Sequence, residues 1–367
     1  MKNKKWLRSV AFILLLTFSV LGIMQCYSLP ATYNTKNLAA FHLEKENLVE
    51  GVVLGTSIVA QSWLPPVAWQ EYGLPIYHLA TGVQPFGILT EYLNYAQSRQ
   101  NIKYAVIDVH GLRTDAIISG LLPARFQAHY LDLPDFIYSL RVRKAITEYA
   151  RKAYDFYDLD PKTKNIMNLD KKSFLVPFID FHNRWVDGLK KADFVTVENK
   201  YMGADDRSKL AFGTTDLTEF LNVLNFEKEY QLDDFQISQL NNLFEYAEEN
   251  NIELLFVNLP SFRVAQAQLE MHAIINYCKS KGYNTIDFAT PEMLEEVGID
   301  PATDFLNRGH LNSKGGQKTT KYICEYLINN GYSVTDHRGD ASYAHWDTVA
   351  EEYNKYYEAG WAKQKKK

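Results

Sequence analysis

Five short apolar runs, each closed by turn residues, constrain this chain most. Val52-Val-Leu54 stops at Gly55, and Leu74–Leu79 stops at Ala80-Thr-Gly82. Tyr104-Ala-Val-Ile-Asp-Val109 is the third, Ile252–Leu259 runs into Pro260, and Tyr283–Phe288 is the last. Runs of this length rich in Val, Ile and Leu read as strands buried on both faces. Helical spacing lies between several of them: Phe86, Leu89, Tyr92, Leu93 and Ala96 share one helical face. Helices are also expected from about Ile58, over Ala265–Lys281 and over Lys314–Asn329. Strands alternating with helices predict an α/β fold whose central, mostly parallel sheet carries helices on both sides.

The alternation lapses between about 112 and 245, where long mixed stretches such as Phe136–Tyr157, Phe181–Lys191 and Leu217–Asn250 read as mostly helical. That is too long for one connection and reads as a helical insertion or lid. The main domain is expected over 31–334. The tail, 335–367, is amphipathic and aromatic (Tyr343, Trp346, Tyr353, Tyr356, Tyr357, Trp361) and is expected to pack against the sheet.

The first 30 residues differ in kind. Lys2, Lys4, Lys5 and Arg8 precede an apolar stretch, Val10–Met24, broken only by Thr17 and Ser19. A signal-peptide core and a short membrane-spanning helix both fit this pattern. Leu29-Pro30-Ala31 matches a cleavage site poorly, so an uncleaved N-terminal transmembrane helix is expected, with residues 1–30 as cytoplasmic stub and anchor. The basic flank then places the rest outside the membrane, as a single-pass extracytoplasmic domain. Cys278 and Cys324 in that part fit either one disulfide or two buried thiols. With a net charge of -5 across 367 residues and no dense basic patch, nucleic acid is not expected as a partner. No Cys/His cluster has zinc spacing, so neither a metal nor another cofactor is expected.

Chemistry concentrates at two positions. Ser57 follows the first strand at Gly55-Thr-Ser57, at the carboxyl edge where open parallel sheets collect ligands. A serine hydroxyl becomes a nucleophile when a base takes its proton, and its own N–H at a helix start could donate to an oxyanion. The simpler reading is that Thr56 or Ser57 caps the next helix. His310 lies far downstream, just before a helix for which Ser313 is the expected cap. A helix N-terminus disfavours the imidazolium and so favours a neutral base; a purely structural histidine is the alternative.

Taken with Tyr77-His-Leu-Ala-Thr-Gly82-Val-Gln, Val106-Ile-Asp-Val109 and Asp304-Phe-Leu-Asn307-Arg-Gly-His310-Leu-Asn312, the Gly55-Thr-Ser57 block resembles the SGNH/GDSL hydrolase superfamily. The similarity is greatest to its membrane-anchored extracytoplasmic branch, which includes teichoic-acid D-alanylation proteins and polysaccharide O-acetyltransferases. These blocks span most of 50–330 outside the insertion. The resemblance implies an SGNH-like three-layer fold, Ser57 as nucleophile, His310 as base and Gly82 as a second oxyanion donor beside Ser57. Two departures stand out. The Asp usually three before the His is Asn307, so Asn307 or, across the loop, Asp304 is left to orient the imidazole. After Asp108-Val109 comes His110-Gly111-Leu112-Arg113 in place of the family's Asn oxyanion donor, leaving His110 or Arg113 to line the pocket.

The function this implies is serine-dependent transfer of an acetyl or D-alanyl group to an envelope glycan or teichoic-acid polymer, or hydrolysis of such an ester. A multi-pass membrane O-acyltransferase would be the partner that hands the acyl group across the bilayer. His182, Arg184 and Trp185 form a further cluster that would stack a sugar or grip an anionic polymer, against the simpler reading of a buried-Trp helix. The competing function is a non-catalytic anchored accessory protein that binds a glycan or the acyltransferase. The change from Asp to Asn307 and the missing oxyanion Asn motivate it.

Overall fold

The computed structural model describes residues 2–26, 33–170, 212–224 and 229–364. Five parallel strands form the central sheet: β1 (Gly51–Leu54), β2 (Ile76–His78), β3 (Tyr104–Asp108), β4 (Glu253–Asn258) and β5 (Asn284–Asp287), in the order β2-β1-β3-β4-β5. All the expected strands form; β1 begins one residue earlier than its run, and the other four are shorter than theirs because those runs continue past the sheet edge into residues that still pack in the core. The order reverses direction after β1, so the β1 and β3 carboxyl ends flank the switch point where ligands collect in such sheets. Strand register supports this edge, with Leu54 opposite Ile107 and Asp108 opposite Val257.

Helices lie between and beyond the strands. α1 spans Lys2–Cys26 and α2 Tyr33–Leu43. After β1 the chain forms a short α3 (Val59–Ser62), then α4 (Pro65–Tyr72), because Pro65 and Pro66 lack the N–H groups needed to continue α3 and suit a first helical turn. A 3₁₀ turn at Phe86–Ile88 leads into α5 (Leu89–Gln97), and the predicted face Phe86, Leu89, Tyr92, Leu93 and Ala96 is buried. Then come α6 (Thr114–Gly120), α7 (Pro123–Leu131), α8 (Phe136–Phe156), α9 (Asp234–Glu249), α10 (Ala265–Ser280), α11 (Pro291–Val297), α12 (Ser313–Asn329) and α13 (Ala344–Gln364).

One apolar cluster packs α5, α8, α9 and α10 on one face of the sheet, with Tyr92, Ile146, Leu243 and Ile274 fully buried. A second, with Trp63, Tyr104 and Ile323, packs α3 and α12 on the other. The architecture is therefore three layers around a parallel sheet. Within the expected 112–245 insertion the described part is helical, but α8 and α9 belong to the main core and are not a separate lid; residues 171–211 lie outside the described residues.

The aromatic tail docks as α13 on α4, where Trp346 lies 5.4 Å from Trp69 between ring centroids and Tyr353 is fully buried. It also reaches the edge of the sheet, where Trp346 lies 5.5 Å from the Tyr77 ring of β2 between centroids. Cys278 and Cys324 are separate buried thiols, one in each core cluster, and burial pushes both well above the usual thiol range.

The expected transmembrane helix needs correction. α1 is 25 residues long, but among the described residues no helix is long and apolar enough to cross a membrane. Its start carries Lys2, Lys4, Lys5 and Arg8, which leaves an apolar stretch from Val10 to Met24. At 1.5 Å per residue that stretch reaches only about 22 Å, against ~30 Å of hydrocarbon. The side chains over 11–20 are nonetheless exposed, with Phe12 at 64% and Leu15 at 68%.

Candidate active site

The carboxyl edge of the sheet delivers Ser57 from β1, and a two-stranded hairpin delivers its partner. β6 (Phe305–Asn307) and β7 (His310–Leu311) form this hairpin around Arg308 and Gly309, where sequence reading expects a loop. Asn307 and His310 are directly opposed in it. Ser57 Oγ lies 3.1 Å from His310 Nε2, and Asn307 Oδ1 lies 3.1 Å from His310 Nδ1. An amide oxygen accepts only, so it selects the tautomer with the proton on Nδ1 and leaves Nε2 to accept from the serine hydroxyl. Gly309 N–H donates to the same Oδ1 at 2.9 Å, which holds the amide in place.

Ser57 is not a helix cap. The residue before α3 is Ile58 and no side chain caps its N-terminus; the Ser57 hydroxyl points to His310 instead. Its backbone N–H and that of Gly82 make no hydrogen bond to a described group, and a Cβ placed on Gly82 would meet nothing within 4 Å. Ser313 is not the cap of α12 either: it opens the helix, and Asn312 caps it by accepting from Lys314 N and Gly315 N. His310 is mostly buried, and its pKa falls to about 4 through burial, the nearby Arg263 guanidinium and His110. It is a neutral base at pH 7.

Asp304 does not reach the imidazole. Its carboxylate accepts from Asp300 N at 2.8 Å and Thr303 Oγ1 at 3.2 Å and pairs with Lys318 Nζ at 2.5 Å. It braces the turn leading into the hairpin, and Asn307 is the residue that touches His310.

A second relay lies directly beneath. His110 Nδ1 donates to Asp108 Oδ1 at 2.6 Å, and Ser261 donates to His110 Nε2 at 2.9 Å. Asp108 Oδ2 accepts from Thr56 N at 3.3 Å and from Thr56 Oγ1 at 3.1 Å. Burial acts to raise the Asp108 carboxyl, but adjacent His110 and the bonds from His110 and Thr56 outweigh it and its pKa is lowered. Burial is the main cause lowering His110, so the pair is carboxylate and neutral imidazole. This serine, histidine and aspartate have the connectivity of a triad, but all three are at most 2% exposed and no substrate reaches them. Their role is positional: Asp108 holds the residue next to Ser57. Gly55, at φ +147°, is required here, since a Cβ there would stand 2.5 Å from Asp108 Cβ.

His110 therefore belongs to this buried relay and does not line a pocket. Arg113 is also buried; its Nε donates to the His110 carbonyl at 3.3 Å and faces Asp115 at 3.4 Å. His182, Arg184 and Trp185 lie outside the described residues. Sequence reading misses Ser261 and Arg263, which follow β4 just past Pro260. Their position after a buried strand is the available signal, as it is for Ser57.

A separate cleft of about 860 Å³ opens beside β4, β5 and α10, lined by Asn258, Gln268, His272 and Asp287. His272 bonds Asp287 at 2.8 Å there, but no serine or cysteine hydrogen bonds to His272 among the described residues. The nucleophile–base geometry is at Ser57. No protein-family model matches the chain, and no curated protein is similar to it.

Proposed function

We propose that this protein performs serine-dependent O-acyl transfer or ester hydrolysis at Ser57, in the manner of an SGNH hydrolase. One observation carries the reading: Ser57 Oγ, His310 Nε2, His310 Nδ1 and Asn307 Oδ1 form a continuous relay with both links at 3.1 Å. Ser57 Oγ attacks the ester carbonyl while His310 Nε2 takes its proton. The resulting oxyanion sits at the unbonded N–H groups of Ser57 and Gly82. Collapse expels the alcohol, which leaves with the proton from His310, and the acyl group stays on Ser57. A second hydroxyl, from water or an acceptor, then gives its proton to His310 and takes the acyl group.

The apolar side chains exposed on α1 behind a basic start support delivery of the α/β domain across a membrane, with α1 as the segment that directs it there. On that reading the acceptor is an envelope glycan or teichoic-acid polymer, the acyl group acetyl or D-alanyl, and a multi-pass membrane O-acyltransferase the partner. The second reading, a non-catalytic binding protein, draws on Asn307, which lacks the charge that would stabilise an imidazolium.

A serine-directed fluorophosphonate separates the two. Labelling of the wild type at Ser57, lost in Ser57→Ala and in His310→Gln, is expected. Equal, absent labelling of wild type and Ser57→Ala, with an acetyl ester also left intact by both, would sink the enzyme reading.

A further inference from the structure

We propose that Arg263 is the specificity residue of this site, holding an anionic group of the substrate, a carboxylate or a phosphate, next to the ester that Ser57 attacks. The proposal rests on the Ser57–His310 reading for the word substrate, but the anion site itself stands on the geometry of Arg263.

Three guanidinium groups, of Arg113, Arg263 and Arg308, lie close enough to act on one another, and two are already engaged. Arg113 bonds the His110 carbonyl and faces Asp115, while Arg308 Nε donates to the Phe262 carbonyl at 3.2 Å with its guanidinium 4.1 Å from the centroid of the Phe220 ring. Arg263 is different. It is partly buried, its Nε is buried with no partner, and it makes no hydrogen bond or ion pair among the described residues. The two carboxylates nearby are otherwise engaged: Asp108 holds His110 and Thr56, and Asp115 is 70% exposed beside Arg113. A guanidinium withdrawn from water without a counter-ion is costly, and its planar fork matches the two oxygens of a carboxylate or phosphate.

Its position puts such an anion at the reaction centre. A Cβ on Gly309 would stand 2.9 Å from an Arg263 terminal nitrogen and 3.1 Å from its Cζ, so the guanidinium lies against the turn next to His310. A side chain at 309 would push the guanidinium away from that position. The residue before Arg263 is fastened on both sides: Phe262 N donates to the Arg308 carbonyl at 2.7 Å, and Gln268 holds the Ser261 carbonyl at 2.5 Å. Arg263 is thus tied to the end of β4 and to the hairpin at once. Arg263 also disfavours the His310 imidazolium, so an anion bound to it relieves that field and strengthens the base as substrate arrives.

Phenyl acetate and 4-acetoxybenzoate carry the same acetyl ester and differ by one carboxylate, and the full chain is assayed with both. The ratio of kcat/KM for the anionic over the neutral ester is expected to fall about 10- to 100-fold in Arg263→Gln, and less in Arg263→Lys. An unchanged ratio overturns the proposal. A second measurement needs no turnover: inorganic phosphate is titrated while the His310 ring is followed by NMR. Saturable shifts in wild type that vanish in Arg263→Gln support the anion site, and no shift in wild type, or the same shift in both, overturns it. If Ser57→Ala cleaves both esters as wild type does, the Ser57 reading has failed while the phosphate titration still judges Arg263.

Discussion

Asn307 and His310 stand opposite each other across a two-residue turn, and Asn307 Oδ1 meets His310 Nδ1 at 3.1 Å. The hairpin does what an acidic partner does elsewhere: it fixes the ring and its tautomer. What it lacks is charge. An amide orients a neutral imidazole as well as a carboxylate does but stabilises the imidazolium far less.

Asn307→Asp is therefore expected to raise kcat for acylation about tenfold or more and to raise the pKa of His310. Asn307→Ala, which releases the ring, is expected to lower kcat about 10- to 100-fold. Pre-steady-state acylation by a chromogenic acetyl ester measures both. A slower Asn307→Asp variant would mean that the amide contributes something beyond orientation.

The pH profile follows from the same histidine. His310 acts as a base only when neutral, and burial with Arg263 nearby lowers its pKa to about 4. The base form therefore persists as pH falls from 7 and is lost only through about pH 4. The acid limb of kcat/KM is expected near that value, well below the 6.5 of a free imidazole. A limb at or above 6.5 contradicts this burial and field. Removing the Arg263 charge should move the limb upward.

Asp108→Asn tests the buried relay. The substitution removes a buried charge that Thr56 N–H, Thr56 hydroxyl and His110 all address. A loss of about 3 kcal/mol in unfolding free energy is expected, seen in a urea titration. Activity should fall through kcat more than KM, since Thr56 is the neighbour of Ser57. Ser261→Ala, which takes only a hydroxyl from His110, should cost about 1 kcal/mol. A null effect of Asp108→Asn on both stability and kcat would leave the relay without the positional role given to it.

Asp304→Asn separates brace from catalyst. Its carboxylate serves Lys318, Asp300 and Thr303 and none of its bonds goes to His310. Thermal stability should drop by about 1–2 kcal/mol, with the acid limb of the pH profile unmoved. A shift of that limb would show that the aspartate acts on the imidazole after all.

Much of this site is legible in the sequence. Ser57 and His310 stand out because each sits where a pattern breaks: an apolar strand ending in Gly-Thr-Ser, and a polar segment just ahead of a helix. The cap of α12 lies one residue from the expected Ser313 because Asn312 and Ser313 are equally able acceptors, and only backbone geometry chooses between them. Spacing cannot rank Asn307 and Asp304 for a similar reason. Three and six residues of chain can both reach a side chain, until a hairpin turns one toward the ring and Lys318 draws the other away. His110, expected near the pocket, is held by Asp108 two residues earlier, an attraction visible only once β3 ends and its side chains turn inward.

Local pattern determined the parallel α/β sheet of this protein, because strand length, helical spacing and turn residues act over a few neighbours. It also marks Ser57 and His310 as the candidate nucleophile and base. Tertiary structure alone decided which groups meet: His310 with Asn307, Asp108 with His110 and Ser261, and Arg263 against Gly309 with no ion pair among the described residues. Those pairings join residues from different strands and loops, and hydrogen bonds and charges act only across the few ångströms that folding sets.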